Sequence, residues 1–143
     1  MRFKAKSVDD EYRRAHPRVI ALAQYADWWA MRNLQKDLML TDVGRTQEEY
    51  DLIYDAKIAE GQYFVGQDGA KHYAGPRPHL EDPLHGVPSH AVDIRQPGEL
   101  TTQQAERLRD HLNAYFPRRD GKPTALIHDV GAGVHLHLQA SLE

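Results

Sequence analysis

Val134-His135-Leu136-His137-Leu138-Gln139 alternates apolar and polar residues without a break. A β-strand turns successive side chains to opposite faces. The stretch therefore predicts a strand with Val134, Leu136 and Leu138 on one face and His135, His137 and Gln139 on the other. Thr124 to His128 reads as its antiparallel partner, joined through Asp129-Val130-Gly131-Ala132-Gly133. Upstream, Pro83-Leu84-His85-Gly86-Val87-Pro88-Ser89-His90-Ala91-Val92-Asp93-Ile94-Arg95 offers an imidazole in a turn-rich loop and a carboxylate at the start of an apolar run. Two histidines and one aspartate, with a position left for water, suit a catalytic zinc site better than a closed structural one.

The rest of the chain supplies a frame for that pair of stretches. Pro17 suits a first helical turn, and Val19, Leu22, Ala23, Ala26 and Ala30 recur at helical spacing, predicting a helix from about residue 8 or 17 to about 34. Trp28 and Trp29 cannot both face the core of one helix, so one packs and the other is left toward a groove. Leu38 to Val43 reads as a short strand. Thr46 and Glu49 then form a capping box for a helix ending before Gly61. Arg45 lies at the junction of strand and helix, where side chains commonly face ligands; the ordinary alternative is a surface arginine paired with a nearby carboxylate. Residues 61–90 carry five of the ten glycines, with four prolines among them, and read as one long irregular loop. A second capping box, Thr101 and Gln104, opens a helix that Pro117 stops. The expected order is helix, strand, helix, long loop, strand, helix, hairpin: an α+β fold in which a small antiparallel sheet with flanking helices carries the site.

Composition narrows the classes. At 143 residues one domain is expected over 1–143, with residues 1–36 as an N-terminal helical segment. A net charge of −3 with both signs mixed gives no basic field for nucleic acid. No apolar run approaches the roughly 20 residues of a spanning helix, and no apolar segment follows the basic start Met1-Arg2-Phe3-Lys4-Ala5-Lys6, so neither membrane insertion nor a secretory signal is expected. The absence of cysteine excludes disulfides and thiolate metal sites. Nine histidines are many, but His16, His72 and His111 read as surface or helix-end residues.

Three segments, in order, resemble a known family. Asp37 to Glu49 resembles the strand-then-Arg-Thr-x-x-Glu segment of zinc D-alanyl-D-alanine carboxypeptidases and related peptidoglycan endopeptidases. Ser89-His90-Ala91-Val92-Asp93-Ile94-Arg95 resembles the end of that family's S-x-H-x-x-G-x-A-x-D motif. Val134-His135-Leu136-His137 resembles the H-x-H motif of the wider group that includes lysostaphin-like enzymes and the hedgehog signalling domain. The likeness covers most of the chain from about residue 37 and is closest to bacteriophage-type members. Two departures stand out. The family's metal-binding histidine lies seven residues before the aspartate, where this chain has Gly86. The glutamate of the carboxypeptidases' E-x-x-H would fall on Val134.

The resemblance implies a hedgehog/D-Ala-D-Ala peptidase-like fold holding Zn²⁺ through His85, Asp93 and His137. His85 is one residue off the family's spacing, so the Gly86-Val87-Pro88 loop must hold an extra residue, and His90 is the competing imidazole. His135 would handle protons and Arg45 would hold a substrate carboxylate or the tetrahedral oxyanion. His128 would assist from the neighbouring strand, with Asp129 as a possible orienting carboxylate. The implied substrate is a peptidoglycan peptide, cut at a terminal D-Ala or at an internal bond by a cytoplasmic or phage-encoded enzyme that meets the wall after release. A non-catalytic zinc- or peptide-binding module on the same fold, including a phage structural component, is the alternative.

Overall fold

A computed structural model describes residues 1–129 and 133–141. Of the two expected starts of the first helix, the one at residue 17 holds: a separate α1 (Lys6–Arg14) precedes α2, which spans Pro17–Leu34. The break has a local cause. A residue before proline is pushed out of the helical region, and His16 sits at φ −59°, ψ 135°, while its ring accepts from the Arg18 N–H at 3.2 Å and so caps α2. Trp29 packs against the core and Trp28 is 52% exposed, as one helix face requires. The second predicted helix is also divided, into α3 (Gln47–Ile53) and α4 (Asp55–Ala59), with Tyr54 at φ −108° between them. Thr46 caps α3 by accepting from the Glu49 N–H, and Thr101 with Gln104 forms a complete capping box on α5 (Thr102–Tyr115).

Five strands form the main sheet: β1 (Arg2–Phe3), β2 (Met39–Asp42), β5 (Ala91–Arg95), β6 (Ala125–Asp129) and β7 (Val134–Gln139), in the order β1-β2-β5-β7-β6. The sheet is mixed rather than antiparallel throughout, because β1 runs parallel to β2. Residues 61–90 are likewise not one irregular loop. They contain a two-stranded antiparallel sheet, β3 (Tyr63–Val65) and β4 (Lys71–Tyr73), whose turn uses Gly69 at φ +76° and an Asp68 carboxylate accepting from the Ala70 N–H. Of the predicted connection between β6 and β7, residues 130–132 lie outside the described residues.

Alternation along the strands decides which face does what. Leu40, Val92, Ile94, Ala125, Leu136 and Leu138 join Val8 and Tyr12 of α1, the buried stripe of α2 and Ala105, Leu108 and Leu112 of α5 in one apolar core. The other parity of the central strands carries polar groups: Asp93 on β5, His135, His137 and Gln139 on β7, His128 on β6. A smaller cluster of Tyr50, Tyr73 and Leu80 supports α3 and the β3–β4 hairpin. Among the described residues no helix is long and apolar enough to cross a membrane.

Candidate metal centre

Register sets the centre of the site. Asp93 pairs with His137 and Arg95 with His135 across β5 and β7, while His128 pairs with His135 across β6 and β7. Asp93 Oδ1 thereby lies 2.9 Å from His137 Nδ1 and 3.6 Å from His135 Nε2. The pairing thus gathers Asp93, His137, His135 and His128 on one face of the sheet, of which the sequence had grouped only His135, His137 and Gln139. Asp129 falls instead on the parity of Ala125 and Ile127.

The third donor comes from elsewhere than expected. His79 Nε2 is 3.3 Å from the same Asp93 Oδ1, and its ring meets that of His137 edge-on with centroids 5.1 Å apart. His79, Asp93 and His137 are 2%, 4% and 5% exposed and form a group able to hold a metal ion. The structure does not bring His85 there. Its side chain is 76% exposed and its Nδ1 pairs with Asp82 three residues back, in a turn closed by an Asp82–Val87 bridge. His90 is not in the group either. Its backbone ties the loop to the end of the central strands by donating to the Pro78 carbonyl and accepting from the Ala140 N–H.

His79 is a loop residue held as firmly as a strand residue. Its carbonyl accepts from the Arg45 N–H at 2.6 Å, and its own N–H donates to the buried Tyr50 hydroxyl at 2.7 Å. The Leu80 backbone continues beside Arg45 as a parallel bridge, with the Glu81 N–H donating to the Arg45 carbonyl. Gly44 lies under the Glu81 side chain in this run. A Cβ there would stand 2.5 Å from the Glu81 carboxyl carbon. His79 stands fourteen residues before Asp93, and the residues between Leu80 and Ser89 form the Asp82–Val87 turn that carries His85 outward. In the sequence the only signal for His79 is that it is the next histidine upstream of His85.

The outer nitrogens of both ligand imidazoles are occupied. His79 Nδ1 donates to the Val43 carbonyl at 2.7 Å, and His137 Nε2 donates to Gln139 Oε1 at 3.1 Å. Gln139 is oriented in turn because its amide nitrogen donates to the Pro123 carbonyl. In neutral imidazoles this leaves both inward nitrogens as lone pairs aimed at a carboxylate oxygen. Three acceptors converging on one buried point require protons or a cation between them, and two histidines with one carboxylate are a donor set that metal ions favour. The residues therefore fit a metal ion on their own chemistry.

The second oxygen of Asp93 faces a different group. Arg45 Nη2 is 3.5 Å from Asp93 Oδ2 and 2.7 Å from Asp42 Oδ2, and its Nε donates to the same Asp42 oxygen at 2.7 Å. Asp42 reaches this face through a β-bulge. Leu40 pairs with Ile94, but Asp42 pairs with the very next residue, Asp93, so β2 spends an extra residue and turns Asp42 away from the core parity of Leu40. Burial works against the Arg45 charge, yet the two carboxylates outweigh it and hold the guanidinium above its ordinary value. Burial likewise pushes the Asp93 carboxyl up, and the protonated forms of the facing His79 and His137, by charge and hydrogen bond, outweigh it and hold Asp93 well below the usual range. His128, against both strand histidines, is pushed down to about 4 by burial first and by the charges of His137 and His135 next.

Comparison with protein-family models, with curated proteins and with solved structures yields no match.

Proposed function

We propose that the protein is a zinc peptidase acting on the short peptides of the bacterial cell wall. The carrying observation is the buried group His79, Asp93 and His137, with each imidazole's outer nitrogen tied to an oxygen and each inner nitrogen turned to Asp93. The likeness of the Arg45, Asp93 and His135-x-His137 segments to D-alanyl-D-alanine carboxypeptidases and lysostaphin-like endopeptidases supports the substrate class and a hedgehog-like arrangement of the sheet. Bound there, Zn²⁺ supplies a Lewis acid that polarises the peptide carbonyl and lowers the pKa of water toward ~7.

The chain's own groups do the rest. His135 Nδ1 donates to the Gly133 carbonyl at 3.3 Å, so Nε2 is the free base and points at the metal-facing oxygen of Asp93. It takes the proton of the attacking water and returns it to the leaving amine. His128, kept neutral by its surroundings, lies tilted beside it with ring centroids 4.6 Å apart and limits the angles His135 can adopt. Arg45, anchored by Asp42, holds Asp93 and presents positive charge toward a substrate carboxylate or the tetrahedral oxyanion.

The test is metal analysis of protein purified without added metal, followed by incubation of the zinc-loaded chain with peptidoglycan fragments. Mass spectrometry of the products should show release of D-Ala or cleavage of an internal peptide bond. Zinc retained at one equivalent with no hydrolysis would replace the enzyme by the non-catalytic binding module.

A further inference from the structure

The proposed function commits His79, Asp93 and His137 to one ion and leaves two more imidazoles beside it. His128 Nε2 is buried and has no hydrogen-bond partner among the described residues. His135 Nε2 carries a lone pair, because its Nδ1 proton goes to the Gly133 carbonyl. The two rings are 4.6 Å apart, and donor atoms of His128, His135 and His137 all lie within 4.8 Å of one another. A buried polar atom without a partner is rare in a native structure and calls for something to satisfy it.

His137 cannot serve both groups through its inner nitrogen, which has a single lone pair already turned toward Asp93. Its outer nitrogen is bonded to Gln139. What remains for another ion is a pair of neutral imidazoles with no carboxylate of their own.

We propose that His128 and His135 form a second, weaker divalent-cation seat adjoining the first, filled only when the cation is in excess, and that filling it inhibits the enzyme. Two neutral nitrogen donors select imidazole-binding ions such as Zn²⁺ and discriminate against Mg²⁺ and Ca²⁺, which take oxygen donors. Inhibition follows from the same lone pairs: with a cation on His135 Nε2, that nitrogen cannot accept a proton. The inhibitory part rests on the proposed role of His135, whereas the seat itself rests only on the geometry.

The experiment titrates the metal-free full chain with Zn²⁺ by calorimetry and counts bound ions by equilibrium dialysis, with circular dichroism to verify the fold of each variant. Wild type should bind two ions, one at least tenfold more tightly than the other. His128→Ala should keep the tight ion and lose the weak one, and His135→Asn should do the same if His128→Ala does not fold. His79→Ala should lose the tight ion and keep the weak one. Mg²⁺ should fill neither. Wild-type turnover should fall over the concentration range in which the second ion binds. A single ion at saturation overturns the second seat and leaves the metal reading standing. Loss of the tight ion in His128→Ala overturns both, since the three histidines would then be the primary set. Constant turnover while the second ion binds overturns the inhibition.

Discussion

His79 Nδ1 donates to the carbonyl of Val43 at 2.7 Å, a bond from a loop imidazole to the end of an adjoining strand. It fixes the tautomer and aims Nε2 at Asp93. The same carbonyl accepts from the Ser89 hydroxyl at 2.6 Å, so one backbone oxygen braces both the segment that carries His79 and the one that leads into Asp93.

Ligation is the first consequence. His79→Ala, Asp93→Ala and His137→Ala should each lower zinc affinity more than ~100-fold, since losing even a partner of a metal ligand costs about 10–100-fold. His85→Ala, on the exposed turn, should leave affinity within error. Competition against a chromophoric chelator measures this. Release of metal by His85→Ala would return the first-ligand role to that residue.

Gln139 tests the orienting bond. Gln139→Leu removes the acceptor of His137 Nε2 and should reduce zinc affinity about 10–100-fold, while Gln139→Glu, which keeps an acceptor, should stay near wild type. Equal affinities for the two variants would show that Gln139 does not hold the ring.

Ser89 is wholly buried and its hydroxyl, with one proton to donate, lies 2.6 Å from the Val43 carbonyl and 2.9 Å from that of Ala91. Ser89→Ala should cost about 1–3 kcal/mol in urea unfolding, because buried acceptors lose their donor. A loss below a few tenths of that range would mean that the loop is positioned without it.

His135→Ala should retain one tight zinc and lose about 10²–10⁴-fold in rate, the usual contribution of a proton-transfer group. Steady-state hydrolysis of a peptidoglycan peptide at the wild-type rate would move the role to His128 or to another base.

Acid should weaken the metal-free fold in a defined window. Burial, with Arg118 and neighbouring histidines adding to it, pushes His90 down to about 4, against about 6.5 in an unfolded chain. Between those values the unfolded chain binds more protons. The contribution of His90 is therefore complete above about pH 6.5 and is lost as pH falls to about 4. Melting temperatures should drop across that window, and His90→Gln should drop less. Parallel profiles for the two proteins would reject the assignment.

Local periodicity alone determined much of this molecule. A period of two along 134–139 put His135, His137 and Gln139 on one face, and capping chemistry placed the starts of α3 and α5, because these signals depend on residues a few positions apart. That alternation made the His137 face legible, whereas the choice of Asp93 and His137 as donors was only what the family resemblance implied. His79, the bulge that turns Asp42, and the Asp42–Arg45–Asp93 chain were decided only in the folded molecule. A loop has no period, so which of its histidines reaches Asp93 depends on bonds from distant residues, here Val43, Arg45 and Tyr50. Spacing in the chain favoured His85. Those long-range bonds hold His79 inward, while the turn from Asp82 to Val87 carries His85 into solvent.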